Sequence, residues 1–209
     1  MSQVFCFGAS ITHGYADSQG GWPTRLRNYL WKKDPDGFNF YNLGIPIDET
    51  SSEVANRLDN ELEVRQGSDK PNLVIFSIGT NDSEYLNDKK KFKISKKEFE
   101  KNINKCIKIA RKYSEKIVFM DLVPVVDAKV DPIPWAPERS YRNKYIWEYR
   151  EILKNICEQE KVYFIDAYDK LLASSDYMHS LSDGIHPSGI GHEILFKTIK
   201  DYLEKEKLI

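Results

Sequence analysis

Two short stretches near opposite ends of the chain carry side chains that suit acyl transfer. Ser10 follows a short apolar run, and a serine at a strand-to-helix turn can expose its hydroxyl beside free backbone N–H groups. Asp183 stands three residues before His186 in a loop that contains a glycine. A carboxylate so placed can accept a hydrogen bond from the imidazole and fix its tautomer. The three side chains together provide a nucleophile, a base and a group that orients the base.

Two further residues have the properties needed to stabilise a negatively charged intermediate. Gly44 ends a predicted strand, where the lack of a side chain permits a close backbone approach. Asn81 follows another strand and carries a side-chain N–H that can donate to a ligand. Each residue also has a plain structural explanation: a helix cap for Ser10, an ordinary turn for Gly44 and an Asx turn for Asn81. Asp82 is expected to brace its loop rather than to act on substrate.

The elements that must position these residues alternate along the chain. Five short apolar runs lack the polar alternation of half-exposed strands, as expected for strands covered on both faces. They lie at residues 3–8, 38–43, 73–78, 116–123 and 162–166. Helical patterns separate them, so the sequence predicts an α/β fold with a parallel sheet. Ligands bind beyond the carboxyl ends of such strands, and Ser10, Gly44 and Asn81 each follow one.

Three other segments give more specific expectations. Ser95–Glu98 has the pattern of a capping box, and a stripe beginning at Tyr141 and Tyr145 predicts a helix. Residues 124–138 contain four prolines and predict no regular element. Because this segment directly follows the fourth strand, it should lie over the ligand-binding edge. The run Lys89–Lys91 predicts a solvated loop.

Composition excludes several classes of protein. The chain has 209 residues, of which 41% are hydrophobic and 30% charged, and these values exclude a disordered chain and a membrane bundle. A net charge of -1 leaves no global basic field for non-specific nucleic-acid binding. The three cysteines are widely separated, and we find neither a secretory signal nor an apolar run of about 18 residues that would span a membrane. We predict a cytoplasmic protein with reduced thiols and one domain over residues 1–209.

The sequence blocks resemble those of the SGNH hydrolases, also called the GDSL-type esterase/lipase superfamily. The matching residues are Ser10, Gly44, Asn81 within Gly79–Asp82, and Asp183 with His186. The blocks run from residue 8 to residue 187, and the segment Asp17–Leu26, which contains Gly20–Trp22, also resembles bacterial and archaeal acylhydrolase-like members. One position departs from the family, because Ala9 stands where an aspartate usually precedes the serine. This departure puts the geometry of the nucleophile turn in doubt rather than the nucleophile itself.

The resemblance implies a three-layer α/β/α sandwich with a five-stranded parallel sheet, flavodoxin-like in strand order. It implies a serine esterase in which Ser10 attacks an ester carbonyl, His186 takes its proton and Asp183 orients His186. The backbone N–H groups of Ser10 and Gly44 and the side chain of Asn81 would hold the oxyanion. The implied partner is a small-molecule ester and not a nucleic acid, and no metal or organic cofactor is needed.

Other functions remain open on the sequence. An acyltransferase or a thioesterase would use the same acyl-enzyme, and a ligand-binding module without catalysis would need only the fold. A metallohydrolase would have to recruit His13, Asp17 and His192, for which we predict structural roles.

Three residues are candidates for contact with substrate, and the sequence makes no prediction about the oligomeric state. Tyr15 and Ile45 flank the predicted oxyanion region, and Trp135 lies in residues 124–138. We predict that these three residues contact substrate. Packing the loop onto the body is an equal alternative for Trp135.

Overall fold

The computed structural model describes residues 1–66 and 72–209. Within these residues the strands are β1 (Ser2–Gly8), β2 (Phe38–Gly44), β3 (Leu73–Ser77), β4 (Tyr85–Leu86), β5 (Lys91–Phe92), β6 (Lys116–Met120), β7 (Arg139–Ser140) and β8 (Tyr163–Ile165). Five of them form a parallel sheet in the order β2-β1-β3-β6-β8. This arrangement confirms the predicted α/β fold and its five-stranded sheet. The strand that ends beside Ser10, β1, has a neighbour on each side.

Helices cover both faces of the sheet. They are α1 (Ser10–His13), α2 (Gly21–Lys33), α3 (Ser51–Glu63), α4 (Lys96–Ala110), α5 (Asp127–Val130), α6 (Asn143–Gln159), α7 (Tyr168–Leu172) and α8 (Gly189–Lys205). Alternate residues of β1 enter opposite cores, because Phe5 and Phe7 pack with α3, α4 and α6, whereas Val4 and Cys6 pack with α2 and α8. Each fully buried side chain of this size contributes about 1.5–3 kcal/mol through its removal from water. Successive side chains of a strand point to opposite faces of the sheet, so both faces are apolar and each is covered by helices. This gives the three predicted layers.

Capping residues set the starts of two helices near the site. Ser95 accepts a hydrogen bond from the Glu98 backbone N–H at 3.2 Å, which is one half of the predicted capping box at α4. Thr50 and Glu53 form a complete capping box at α3 that the sequence analysis did not identify. Such caps each stabilise a helix by about 1 kcal/mol.

The predicted start of α6 was wrong. The helix begins at Asn143, so Tyr141 lies in the connection that precedes it rather than on its apolar stripe. Pairing of the preceding residues, Arg139 and Ser140, with β4 holds the backbone in extended geometry and overrides the apolar periodicity. As a result, Tyr141 is free to point towards the sheet edge instead of along the helix face.

A small antiparallel sheet of order β5-β4-β7 joins two distant segments. Tyr85 pairs with Ser140 and Leu86 pairs with Arg139. Strands of two residues are too short to produce a periodic pattern, so the sequence did not predict them. Lys89 and Lys90 lie in the exposed turn between β4 and β5, as predicted for a solvated loop, whereas the third lysine of the run, Lys91, is exposed but belongs to β5.

The proline-rich segment 124–138 is more regular than expected. It contains α5 and a bridge between Ile133 and Ala136, so the prediction that it forms no regular element was wrong. Its apolar residues are buried, with Val130 at 0% and Ile133 at 2% exposure. The Val126 backbone N–H donates to the Gly184 carbonyl oxygen at 2.9 Å. The segment therefore contacts the loop that carries His186, at the predicted edge of the sheet.

The structure also bears on the predictions of reduced thiols and of no membrane-spanning segment. Cys6, Cys106 and Cys157 are buried with free thiols, and burial raises the pKa of Cys106 to about 12. None of the helices in residues 1–66 and 72–209 combines the length and the apolar character needed to cross a bilayer. The cytoplasmic location stays a prediction.

Candidate active site

Ser10 lies where β1 turns into α1. Gly8 makes this turn possible, since a Cβ at residue 8 would come within 2.4 Å of the Ser77 carbonyl oxygen. Ala9 occupies the N-cap position, and no side chain caps α1. The backbone N–H groups at the start of α1 therefore lack a side-chain acceptor from the cap position, in contrast to those of α3. The departure at Ala9 leaves these donors without the carboxylate that the family usually places there.

His186 lies between Ser10 and Asp183. Its Nε2 atom is 3.0 Å from Ser10 Oγ, and its Nδ1 atom is 2.6 Å from Asp183 Oδ2. The two side chains of the Asp183–His186 pair are 27% and 19% exposed, so solvent reaches the pair only in part. The structure thus brings together three side chains that the sequence selected from opposite ends of the chain.

Asp183 is held in its ionised form. Its Oδ1 atom accepts hydrogen bonds from the backbone N–H groups of Ile185 at 2.9 Å and His186 at 2.8 Å. Partial burial alone would raise the pKa of Asp183. The hydrogen bonds from the His186 ring and from the two backbone groups outweigh that effect and lower the pKa to about 2. The carboxylate is therefore an acceptor for the ring N–H throughout the neutral pH range.

Segment 124–138 supports this loop from outside. Gly184 has a φ of 98°, and a Cβ there would come within 2.8 Å of Lys129 Cβ and 3.0 Å of Val130 Cγ1. A side chain at residue 184 would therefore both strain the backbone and push α5 away. The position of His186 depends in this way on a segment that contributes no candidate catalytic side chain.

Asn81 lies in the loop that follows β3 and is 9% exposed. Its Nδ2 atom donates to the Glu49 carbonyl oxygen at 2.9 Å, and its Oδ1 atom accepts from the Tyr141 hydroxyl at 3.0 Å. Asn81 and Ser10 line the same small pocket, together with Ala9, Glu49 and Ile185. A water-sized group fits into this pocket, with about 20 Å³ open to the centre of such a group.

Gly44 is placed differently from Asn81. It pairs with Gly8 across β1 and β2, and a Cβ at residue 44 would come within 2.3 Å of the His13 backbone nitrogen. Close packing of β2 against α1 therefore accounts for the glycine. Its backbone N–H donates to Asn42 Oδ1 at 3.0 Å. The role of Gly44 as an oxyanion donor stays a prediction, and it requires that this bond to Asn42 opens.

Two buried carboxylates, those of Asp82 and Glu49, bind residues of α3. Asp82 accepts hydrogen bonds from the backbone N–H of Ser51 at 3.1 Å and from the Ser51 hydroxyl, and burial raises the pKa of Asp82 to about 6. It therefore braces the start of α3, as expected. Glu49 was missed by the sequence analysis, because nothing in its neighbourhood marks it as buried. Arg57 binds both of its carboxylate oxygens, at 2.6 and 2.8 Å.

A group of ion pairs ties the loop after β2 to the small sheet. Arg139 donates to Asp48 Oδ2 at 2.6 Å and also contacts Glu84, while Lys93 lies 3.1 Å from Glu84 Oε2. Burial would raise the pKa of Asp48, but Arg139, Lys93 and the nearby His186 together lower it. These contacts hold Asp48, the residue that precedes Glu49.

The three residues predicted to contact substrate differ in their exposure and in their neighbours. Tyr15 is 51% exposed, and its ring centroid lies 4.6 Å from that of His186. Ile45 extends β2, with its backbone N–H donating to the Gly8 carbonyl oxygen at 3.0 Å. Trp135 is 63% exposed, which argues against the alternative that it packs the loop onto the body. Contact with substrate stays a prediction for all three.

The residues of the metallohydrolase alternative do not form a common site. His13 is exposed, whereas Asp17 forms an ion pair with Arg25. His192 is buried, and its Nδ1 atom accepts from the Trp22 backbone N–H at 3.3 Å. Burial lowers the pKa of His192 to about 4, which keeps the ring neutral. Among residues 1–66 and 72–209, no group of three histidine, cysteine or acidic side chains is arranged to hold a metal ion.

Comparison with known proteins gives a family match over most of the chain. Residues 6–194 match the model of the GDSL-like lipase/acylhydrolase family. The human isoamyl acetate-hydrolyzing esterase 1 homolog is 24% identical over 214 residues, covering 98% of this chain and 82% of that protein. The bovine homolog is 26% identical over 220 residues with the same coverage of each chain.

Solved structures show the same fold. The lipase/acylhydrolase from Enterococcus faecalis superposes with a TM-score of 0.75 at 22% identity, over 99% of this chain and 97% of that chain. Axe2, an acetylxylan esterase from Geobacillus stearothermophilus, superposes with a TM-score of 0.73 at 20% identity, over 97% and 93% of the two chains. At these identities the likeness establishes the arrangement of helices and strands and nothing finer.

Proposed function

The chain belongs to the GDSL-like lipase/acylhydrolase family and is a carboxylic ester hydrolase, and from this premise we propose that it works as a serine esterase through an acyl-enzyme on Ser10. One observation carries the proposal. His186 lies within hydrogen-bond distance of both Ser10 Oγ, at 3.0 Å, and Asp183, at 2.6 Å. A base that contacts both a nucleophile and an ionised carboxylate is the arrangement that acyl transfer requires.

In the proposed reaction His186 Nε2 takes the Ser10 hydroxyl proton as Oγ attacks the ester carbonyl carbon. Asp183 stays ionised, accepts a hydrogen bond from Nδ1–H and stabilises the imidazolium. The imidazolium then returns its proton to the leaving oxygen as the carbon–oxygen bond of the ester breaks. Water repeats the sequence on the acyl-enzyme, which releases the carboxylic acid and restores Ser10.

Donors beside Ser10 would hold the negative charge of the tetrahedral intermediate. We assign this role to the Ser10 backbone N–H and to the Asn81 side-chain amide, since both border one pocket. The amide has two N–H donors, and only one is used by the Glu49 carbonyl group. Gly44 is the third donor of the proposal, provided that its N–H exchanges Asn42 for the substrate oxygen.

We further propose that the acyl group is short. Only about 20 Å³ of the pocket beside Ser10 is open to the centre of a water-sized group, which favours a small acyl group such as acetyl. The names of two similar proteins, an isoamyl acetate-hydrolyzing esterase homolog and an acetylxylan esterase, agree with an acetyl substrate. We also propose that the whole chain, residues 1–209, is one domain, because Ser10 and His186 meet although they are 176 residues apart.

The function can be tested with a mechanism-based probe and a simple ester. We expect a fluorophosphonate to modify Ser10 alone, and 4-nitrophenyl acetate to be hydrolysed until the probe has reacted. Mass spectrometry of the digested protein locates the modified residue. Modification of another serine, or hydrolysis that persists after complete labelling, would contradict the assignment of the nucleophile.

The oxyanion assignment predicts the effect of changing Asn81. In Asn81→Ala the transition state loses one donor, which should lower kcat by about 10²- to 10³-fold with little change in KM. Steady-state kinetics on 4-nitrophenyl acetate measure this effect. Asn104→Ala is the matched control, because the Asn104 amide donates to the Glu100 carbonyl oxygen on the exposed face of α4, away from Ser10. A kcat equal to that of the control would remove Asn81 from the proposed oxyanion hole.

A further inference from the structure

The orientation of the Asn81 amide decides whether it can stabilise an oxyanion. A carboxamide has a donor end and an acceptor end, and rotation by 180° exchanges Nδ2 with Oδ1. If Oδ1 faced the substrate, its partial negative charge would repel the developing charge of the intermediate. The protein therefore needs contacts that favour one orientation. Glu49 supplies an acceptor for Nδ2 at 2.9 Å, and Tyr141 supplies a donor for Oδ1 at 3.0 Å.

We propose that Tyr141 is a positioning residue for ester hydrolysis, which acts by fixing the donor end of the Asn81 amide towards the substrate oxygen. The proposal rests on the function proposed above for Asn81. A hydrogen bond to Oδ1 also polarises the amide, so that the free Nδ2–H becomes a stronger donor. Tyr141 would thus contribute to the transition state without touching the substrate.

Tyr141 is suited to this task because its own position is fixed. It is 3% exposed, and its backbone N–H donates to the Val130 carbonyl oxygen at 3.0 Å. The preceding residue, Ser140, pairs with Tyr85, and this contact holds Tyr141 in register with the loop that carries Asn81. The small antiparallel sheet therefore sets the distance between the two side chains.

The Tyr141 hydroxyl remains protonated and can therefore donate a hydrogen bond. Burial and the nearby carboxylates of Asp48 and Asp82 raise the pKa of Tyr141 far above its usual value, by more than Arg139 lowers it. The hydroxyl therefore keeps its proton at neutral and moderately alkaline pH. A carbonyl oxygen can only accept, so Glu49 requires Nδ2 of Asn81 on its side of the amide. Oδ1 then faces Tyr141, and the hydroxyl donates its proton to it.

A double-mutant cycle tests the coupling between the two residues. We expect Tyr141→Phe to lower kcat on 4-nitrophenyl acetate by about 10-fold with KM changed by less than about twofold, because Glu49 still holds the other end of the amide. In the Asn81→Ala background the same change should lower kcat by less than about twofold. A role confined to packing would give the same factor in both backgrounds. Tyr149→Phe is the control, since Tyr149 is also buried and its hydroxyl donates to the Ile94 carbonyl oxygen.

The outcomes separate this inference from the proposed function. If Asn81→Ala lowers kcat but Tyr141→Phe has no effect, or has an equal effect in both backgrounds, the role of Tyr141 is overturned and the oxyanion assignment stands. If Asn81→Ala has no effect, both are overturned. Thermal unfolding of each variant checks that the fold is intact.

A measurement on the unaltered protein covers the case in which Tyr141→Phe does not fold. The proposal requires a single orientation of the Asn81 amide. We expect one pair of Nδ2 proton resonances, identified by their loss in Asn81→Ala, with one proton protected from solvent exchange by Glu49. Two pairs of resonances, or fast exchange of both protons, would overturn the proposal.

Discussion

Replacing Ser10 with alanine should lower kcat by about 10⁶-fold and abolish labelling by a fluorophosphonate, because no acyl-enzyme can form. KM should change much less, since the pocket beside residue 10 keeps its walls. The hydroxyl of Ser10 contacts His186, and its removal deletes no contact that caps a helix or fills a core. Unfolding in urea should therefore give a free energy close to that of the unaltered protein.

Ser95→Ala is the matched control for this experiment. The Ser95 hydroxyl caps α4 by accepting the Glu98 N–H at 3.2 Å, so its loss should cost about 1 kcal/mol of stability. Its activity should not change. The pair of variants thus separates a serine that reacts from one that supports the fold. If the Ser10→Ala variant retains more than about one hundredth of the activity of the unaltered protein, the acyl-enzyme mechanism is overturned.

Asp183→Asn should lower kcat by about 10⁴-fold. The backbone N–H groups of Ile185 and His186 bond to Oδ1 and would keep that side of an asparagine as the oxygen. The amide nitrogen would then face His186 Nδ1 and donate to it. This tautomer places the ring proton on Nε2, where the ring cannot take a proton from Ser10.

The free energy of unfolding of Asp183→Asn should also depend on pH differently from that of the unaltered protein. The pKa of Asp183 is about 2 in the folded protein, below the value of about 3.9 for an unfolded aspartate. Ionised Asp183 therefore stabilises the fold above about pH 4, and this contribution is lost as the pH falls through about 2. The difference in free energy of unfolding between the unaltered protein and Asp183→Asn should be constant above about pH 5 and should narrow between about pH 4 and about pH 2.

Asp201→Asn provides the comparison for both measurements, since Asp201 is 68% exposed and pairs with Lys200 on α8. It should match the unaltered protein in kcat. A difference in stability for Asp183→Asn that stays constant with pH would contradict the lowered pKa. Equal kcat values for the two variants would contradict the role of Asp183 in orienting His186.

Local sequence patterns were sufficient to predict the sheet and the candidate nucleophile and base. The strands are covered on both faces, so their apolar runs predict them directly. Ser10 and the Asp183–His186 pair are recognisable because each motif is short and its geometry is local. The brace formed by Asp82 was likewise expected from its place at the end of a strand.

Contacts between distant segments explain what the sequence did not predict. The apolar spacing predicts Tyr141 as part of a helical stripe, whereas pairing of β7 with β4 keeps it outside α6 and directs it to Asn81. The buried carboxylate of Glu49 depends on Arg57, eight residues further along. The N–H of Gly44 is occupied because the Asn42 side chain turns back on it. No periodic pattern of apolar residues encodes contacts of these kinds.

The separation of 176 residues between Ser10 and His186 also bears on how the protein gains activity as it folds. Contacts between residues so far apart in sequence form slowly, because the entropy of closing the intervening chain is lost before the contact forms. Helices and neighbouring strands can form while the loop that carries the base is still unattached. During refolding from denaturant, recovery of spectroscopic signals should therefore precede recovery of esterase activity.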